Sequence, residues 1–191
     1  MQHEADLASL ARAARAGDRA SLDEFLAAVQ PVVVRAVRLV VGSGSTLAED
    51  ACQDALMDIA RGLPRLASPE RAAAWAMRIA MRRALRAGRL QRVRARLTGG
   101  PEQLEGVRAR EDVPGRLLEI REAFDALPTR QRAVAVLRIY VGLSEAETAE
   151  ALDCSIGTVK SRLHAARQRL QTLLAEDIAA PAPLSPARRS V

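Results

Sequence analysis

The chain is poor in aromatic residues: among 191 positions there are two Phe, one Trp and one Tyr. Runs that alternate apolar with polar residues are missing too, which argues against a sheet. What remains, a chain dominated by Ala, Leu and Arg, predicts an all-α protein with aliphatic cores. Cys52 and Cys154 are the only cysteines and read as two small buried hydrophobes in a reducing compartment, not as a disulfide framework. Histidine occurs only as His3 and His164. No glycine-rich phosphate loop, metal-ligand spacing or nucleophile–base pair is present, so no enzyme, cofactor or metal is expected. Long hydrophobic runs are absent as well. The most apolar stretch, Val32 to Val41, is broken by Arg35 and Arg38 and is too short to span a bilayer. The beginning of the chain carries Glu4 and Asp6 without an apolar segment, unlike a secretory signal. A soluble, cytoplasmic protein without membrane insertion is the expectation.

Charge is abundant but uneven. The net charge of +6 conceals a residue 61–98 segment with eleven arginines against Glu70 alone. The stretches before it (1–60) and after it (99–153) are each net −4, and the remainder is net +4. So many guanidinium groups in one segment repel each other unless phosphate or an acidic surface neutralises them. An acidic, basic, acidic, basic order suits a chain that holds a protein with some faces and a polyanion with others.

Helix signals divide the chain into two small helical domains, residues 1–98 and 115–175, joined by a flexible polar linker, 99–114, and followed by a Pro-rich tail, 176–191, expected to be disordered. In the first domain Asp18 can cap a helix carrying Leu22, Phe25, Leu26 and Val29, and Pro31 marks a kink or break before Val33, Val37 and Val41. Thr46 with Glu49 forms a capping-box pair opening a helix whose outer face holds Glu49, Asp50, Gln53, Asp54 and Asp58. Ser68-Pro69-Glu70 starts the arginine-rich helix, which Gly88 is expected to break before Leu97. Ala72, Trp75, Ala76, Ile79 and Ala80 supply its packing side, with Trp75 read as a core residue.

In the second domain Thr129 can cap a helix ending at Gly142. Ser144 with Glu147 makes a further capping box, opening a short helix with Ala146, Ala149 and Leu152 inward. Asp153 stands at a sharp turn, where Asp tolerates left-handed backbone. Ser155 can cap a last helix with Ile156, Val159, Leu163, Ala166, Leu170 and Leu173 in one apolar stripe. Thr158, Lys160, Ser161, His164 and Gln168 point away from it, flanked by Arg162, Arg167 and Arg169. A basic, polar face after a tight turn suits a recognition helix entering the major groove.

Leu127-Pro128-Thr129-Arg130-Gln131-Arg132, Gly142-Leu143-Ser144 through Ala149, and Gly157-Thr158-Val159-Lys160-Ser161-Arg162-Leu163 resemble the C-terminal DNA-binding domain of bacterial RNA polymerase sigma factors, most closely the extracytoplasmic-function (ECF) class. Ala48-Glu49-Asp50, Gln53-Asp54 and Ala74-Trp75-Ala76-Met77-Arg78-Ile79-Ala80 resemble that family's promoter-melting domain. The resemblance implies a subunit that binds the polymerase core and directs transcription initiation. Glu49, Asp50, Gln53 and Asp54 would grip the β′ clamp helices, and the β flap would be a second contact. Arg78, Arg82, Arg83 and Arg86 would lie beside the minus-ten element, where bases are unstacked and captured. Lys160, Ser161 and His164, with Thr158 beside them, would read the minus-thirty-five element, and Arg162 and Arg167 would make phosphate or packing contacts. The linker would thread the active-site channel, and an anti-sigma factor would hold the protein inactive. Leu56 and Ala60 stand where family members have aromatics, and Arg82 and Arg86 where Asn and Asp are common. Ala165 replaces a basic residue, and Asp153 a Gly. The rival reading is a stand-alone helix-turn-helix regulator with residues 1–98 as a dimerisation or sensing domain.

Overall fold

The computed structural model of the protein describes residues 2–42, 45–97 and 115–179, and every regular element among them is helical. The expected linker and most of the expected tail lie outside these residues. Helix α1 spans Gln2–Arg15, α2 Arg19–Val41, α3 Thr46–Gly62 and α4 Ala72–Leu97, with two short 3-10 turns, Leu63–Arg65 and Pro69–Arg71, between the last two. In the second half α5 spans Gly115–Asp125 and α6 Thr129–Ala135, which winds on as a π turn, Val136–Val141; α7 spans Glu145–Ala151 and α8 Ile156–Ala179.

Two expected breaks are bridged. Helix α2 passes through Pro31 without interruption. A proline inside a helix costs about 3 kcal/mol. Val29, Val33, Val37 and Val40, at most 6% exposed on the same stretch, return roughly 1.5–3 kcal/mol each when buried, so packing overrides the local signal. Helix α4 likewise runs unbroken through Gly88 to Leu97, since one interior glycine costs only about 1 kcal/mol. Asp18 caps α2 as its sequence predicts, accepting from the Ala20 amide at 3.0 Å and the Ser21 hydroxyl at 2.6 Å. At α3 the expected box is absent: Ser45 occupies the cap position with no side-chain hydrogen bond.

The two halves share one core. A continuous apolar cluster runs from Leu7 and Phe25 through Val37, Ile59 and Met81 to Phe124, Val136, Leu137 and Leu170. A smaller cluster, Val134, Ala149, Val159 and Leu163, belongs to the second half alone. Arg132 helps to close the seam. Its side chain is 11% exposed, donates to the backbone carbonyls of Asp125 and Leu127, and reaches the Val40 carbonyl of α2 at 3.5 Å. A guanidinium is thereby set against the last carbonyls of two helices, where orphan acceptors and the negative dipole end favour a cation.

Candidate nucleic-acid interface

The C-terminal hairpin is built from its caps inward. The Ser144 hydroxyl accepts the Glu147 amide at 3.2 Å, and the Glu147 carboxylate accepts the Ser144 amide at 2.8 Å. The Ser144 hydroxyl beside the carboxylate, and then the Ser144 amide that donates to it, hold the Glu147 carboxyl below its ordinary pKa. Gly142 ends the preceding turn in left-handed backbone at φ +85°, where a Cβ would be strained. Asp153 takes φ +49°, the only described non-glycine residue at positive φ. Ser155 then caps α8, its hydroxyl accepting the Thr158 amide at 3.1 Å and lying 2.9 Å from the Thr158 hydroxyl.

Val159, Leu163, Ala166 and Leu170 are buried on α8. Ile156, expected in that stripe, is 46% exposed because it precedes the first packed turn. Ala146 of α7 is exposed as well, so Thr148, Ala149 and Ala151 form the inner face there. Lys160, Ser161, His164, Arg167 and Gln168 are exposed. At 100° per residue they cover about one third of the helix circumference. Thr158 and Arg162 are half-buried at the edge of this strip. Thr158 is tied to the cap, and Arg162 borders a cleft facing α4. Lys160 approaches Glu145 at 3.6 Å, an exposed pair worth little.

The four arginines expected at the second site divide into two sets. Arg78, Arg82 and Arg86, at spacings of four, form one ridge, which Arg89 extends. Arg83 points elsewhere, to α3, with bonds to Asp58 Oδ2 at 2.8 Å and Asp54 Oδ2 at 3.0 Å. The bond to Asp58 raises its pKa above the usual arginine value. Asp54 is thus half-buried and engaged, whereas Glu49, Asp50 and Gln53 are free of side-chain bonds among the described residues and exposed. Met57, 38% exposed, stands one turn beyond Gln53 on the same face. Its spacing of four from Gln53 could have singled it out, but a methionine there reads equally as core. Leu56 packs against the core instead.

The arginine ridge does not stand apart from the hairpin. Arg71 and Arg78 both donate to the Glu150 carboxylate, the latter at 3.3 Å. Beside these contacts a cleft of about 900 Å³ is lined by Arg82, Arg86 and Arg89 of α4 and by Asp153 of the turn, with Arg78 and Glu150 also on its wall. Further along α4, Arg92 donates to the Thr129 hydroxyl. The expected Thr129 cap of α6 is not made; Pro128 holds that position, and the hydroxyl serves the seam instead. Trp75 lies over Gly62, with its Cζ2 2.7 Å from where a Cβ on that glycine would sit. The indole also lines a small cleft shared with Glu147, Glu150 and Ala151 of α7.

A family model for Sigma-70 region 2 matches residues 25–94, and one for Sigma-70 region 4 matches residues 117–170. The chain is 34% identical over 173 residues to the ECF RNA polymerase sigma factor SigM of Mycobacterium tuberculosis, covering 91% of this chain and 87% of that protein. It is 33% identical over 171 residues to the ECF RNA polymerase sigma factor SigD of Mycobacterium bovis, covering 82% and 78%. Among solved structures, CnrH in complex with the cytosolic domain of CnrY matches with a TM-score of 0.66 and 26% identity over 90% of this chain and 99% of that one. RpoE of Bartonella quintana, a sigma factor bound to the anti-sigma factor NepR, matches in fold with a TM-score of 0.63, at 24% identity over 81% and 97%.

Proposed function

The chain belongs to the extracytoplasmic-function class of RNA polymerase sigma factors, and from that premise we propose how its surfaces divide the work of binding core polymerase and directing it to promoters. Residues 1–98 form the polymerase-binding and promoter-melting unit, 99–114 the linker, and 115–175 the unit that reads the minus-thirty-five element. The exposed acidic face of α3, with Glu49, Asp50 and Gln53 and with Met57 among them, meets the β′ clamp helices, and the second unit meets the β flap. On α8, Lys160, Ser161 and His164 reach base edges in the major groove, whose donor and acceptor pattern distinguishes all four base pairs. Arg167 meets phosphate, and Thr158 and Arg162 position the helix. On α4, Arg78, Arg82 and Arg86 neutralise the strand at the minus-ten element. Arg83 acts as a positioning residue, since its guanidinium is spent on Asp54 and Asp58.

The observation that supports this reading best is the capped, left-handed turn followed by an exposed polar strip on α8. Chemistry stays with the polymerase, and this subunit supplies recognition in the cytoplasm, beside the enzyme it serves. No described helix is long and apolar enough to cross a membrane. An anti-sigma partner fits the company of its structural relatives, two of which are solved with CnrY and NepR. The stand-alone regulator is not favoured, because both sigma regions are matched. Run-off transcription with purified core polymerase, on promoters found by sequencing DNA occupied by that holoenzyme, tests the proposal. Transcripts that depend on this chain are expected. A polypeptide that ignores polymerase yet shifts duplex DNA as a symmetric dimer would overturn it.

A further inference from the structure

The arginines of α4 divide into those with a partner in the chain and those without. Arg78 meets Glu150, Arg83 meets Asp54 and Asp58, and Arg92 donates to the Thr129 hydroxyl. Arg82, Arg86 and Arg89 are exposed and have neither a hydrogen bond nor an ion pair among the described residues. What sets these three apart from other exposed arginines is a shared concavity, the cleft of about 900 Å³. Leu85 and Leu152 give that cleft an apolar part, and Asp153 stands on its wall. A second cleft, of about 320 Å³, shares Leu85, Arg89, Leu152 and Asp153 with the first and adds Arg92, Arg130 and Arg162. Four guanidinium groups therefore border the first space and three more the second, against the carboxylates of Glu150 and Asp153. A concave surface dominated by one charge sign concentrates small ions of the opposite sign.

We infer that the joined clefts are a binding site for a small molecule that carries several phosphates, a nucleoside polyphosphate. The larger space has a volume typical of small-molecule pockets, roughly 300–1,000 Å³. Arg82, Arg86 and Arg89 follow one another at four and three residues, so they span roughly 10 Å along the helix axis. One phosphate group cannot meet all three guanidinium forks, whereas a chain of phosphates can, with two oxygens available to each fork. Leu85 and Leu152 offer apolar surface to a flat ring. Asp153, exposed and without a side-chain partner among the described residues, repels phosphate but accepts from ring N–H or sugar O–H groups. The two kinds of lining thus fix the ligand's direction, with phosphates toward α4 and the nucleoside toward the turn. The site is formed by the chain alone, so it does not depend on the role assigned to the ridge at promoters.

The test uses the full chain without polymerase, in magnesium-free buffer, with ATP, tripolyphosphate and adenosine as probes in calorimetric titrations. ATP is expected to bind at one site, more tightly than tripolyphosphate and far more tightly than adenosine. Arg82→Gln with Arg86→Gln should weaken ATP binding about ten- to hundredfold, as two charged hydrogen-bonding groups are lost. Both side chains are exposed and unpaired among the described residues, so the thermal midpoint should hold. Arg12→Gln with Arg19→Gln, exposed on α1 and α2, removes the same charge away from the clefts and should change affinity by no more than about twofold. Asp153→Asn, which tolerates the left-handed backbone, should narrow the preference for ATP over tripolyphosphate. Cys154 lines both clefts whereas Cys52 is buried, so bound ATP should slow the alkylation of Cys154 by iodoacetamide severalfold. Absence of ATP binding, or affinity that responds no more to the Arg82 and Arg86 pair than to the Arg12 and Arg19 pair, would overturn the site. Tripolyphosphate binding as tightly as ATP would overturn the nucleoside assignment. Binding that leaves the alkylation rate unchanged would overturn its place in the clefts.

Discussion

Helices α4 and α8 both offer positive charge to nucleic acid, but they offer it in opposite ways. Helix α4 carries eight arginines between Ala72 and Leu97 and no acid at all, yet part of its ridge lines a cleft together with Glu150 and Asp153. Helix α8 has a sparse mixture, Lys160, Ser161, His164 and Arg167, and all four are exposed. Dense charge without hydrogen-bonding variety suits a backbone, whereas a mixed strip on a rigid helix suits base edges. The first surface works by its density of charge; the second needs to be held in register.

The contrast between the two helices breaks most severely when what backs α8 is removed. Leu163, 5% exposed in the hairpin's own small core, is expected to cost about 2–5 kcal/mol when replaced by Ala, read as a lowered denaturation midpoint. Selectivity at the minus-thirty-five element should then fall with little change in what α4 does. Lys160→Ala and His164→Ala leave the fold intact and are expected to cost about 1–3 kcal/mol for each base edge no longer bound, with discrimination between promoter sequences relaxed in competition assays. Arg82→Gln with Arg86→Gln should act in the contrary manner: sequence preference persists, while the log–log salt slope of open-complex formation falls by about 0.9 for each phosphate no longer neutralised. If these two pairs of changes gave the same pattern, the contrast between the helices would fail.

The smallest effect concerns the cap. Ser144→Ala is expected to cost about 1 kcal/mol, seen as a modest drop in thermal midpoint. It also changes the response to acid. Because the folded-state pKa of Glu147 is depressed below its ordinary value of 4.5, its contribution is present above the unfolded pKa and fades as pH falls through the lower, folded one. Denaturation midpoints of the parent should therefore decline from just above pH 4.5 downward, and the Ser144→Ala chain should show a shallower decline over that window.

How far the sequence foretold this structure depended on whether a feature was local. The Ser144–Glu147 box, the turn at Asp153, the Ser155 cap and the stripe of Val159, Leu163 and Ala166 depend on residues within a few positions of each other, and each was legible. Pro31 and Gly88 mislead because their local penalties are outweighed by burial elsewhere. Arg83 groups with its neighbours in sequence because composition cannot tell a guanidinium aimed at α3 from one aimed at DNA; a helical wheel separates it from Arg82 and Arg86, but Asp54 and Asp58 have to be in place to explain it. Glu150 and Thr129 are unreadable as seam residues for the same reason. Their partners lie 79, 72 and 37 positions away, and no periodicity in the chain announces that distance.

The placement of Trp75 has a practical side. The chain's sole indole rests in a notch on Gly62 and borders the recess facing α7, so the molecule carries its own optical gauge of whether its halves are touching. Water reaching that ring as α7 departs would shift its emission toward the red, and the change could be followed in unlabelled protein, in real time, as an oligonucleotide is added.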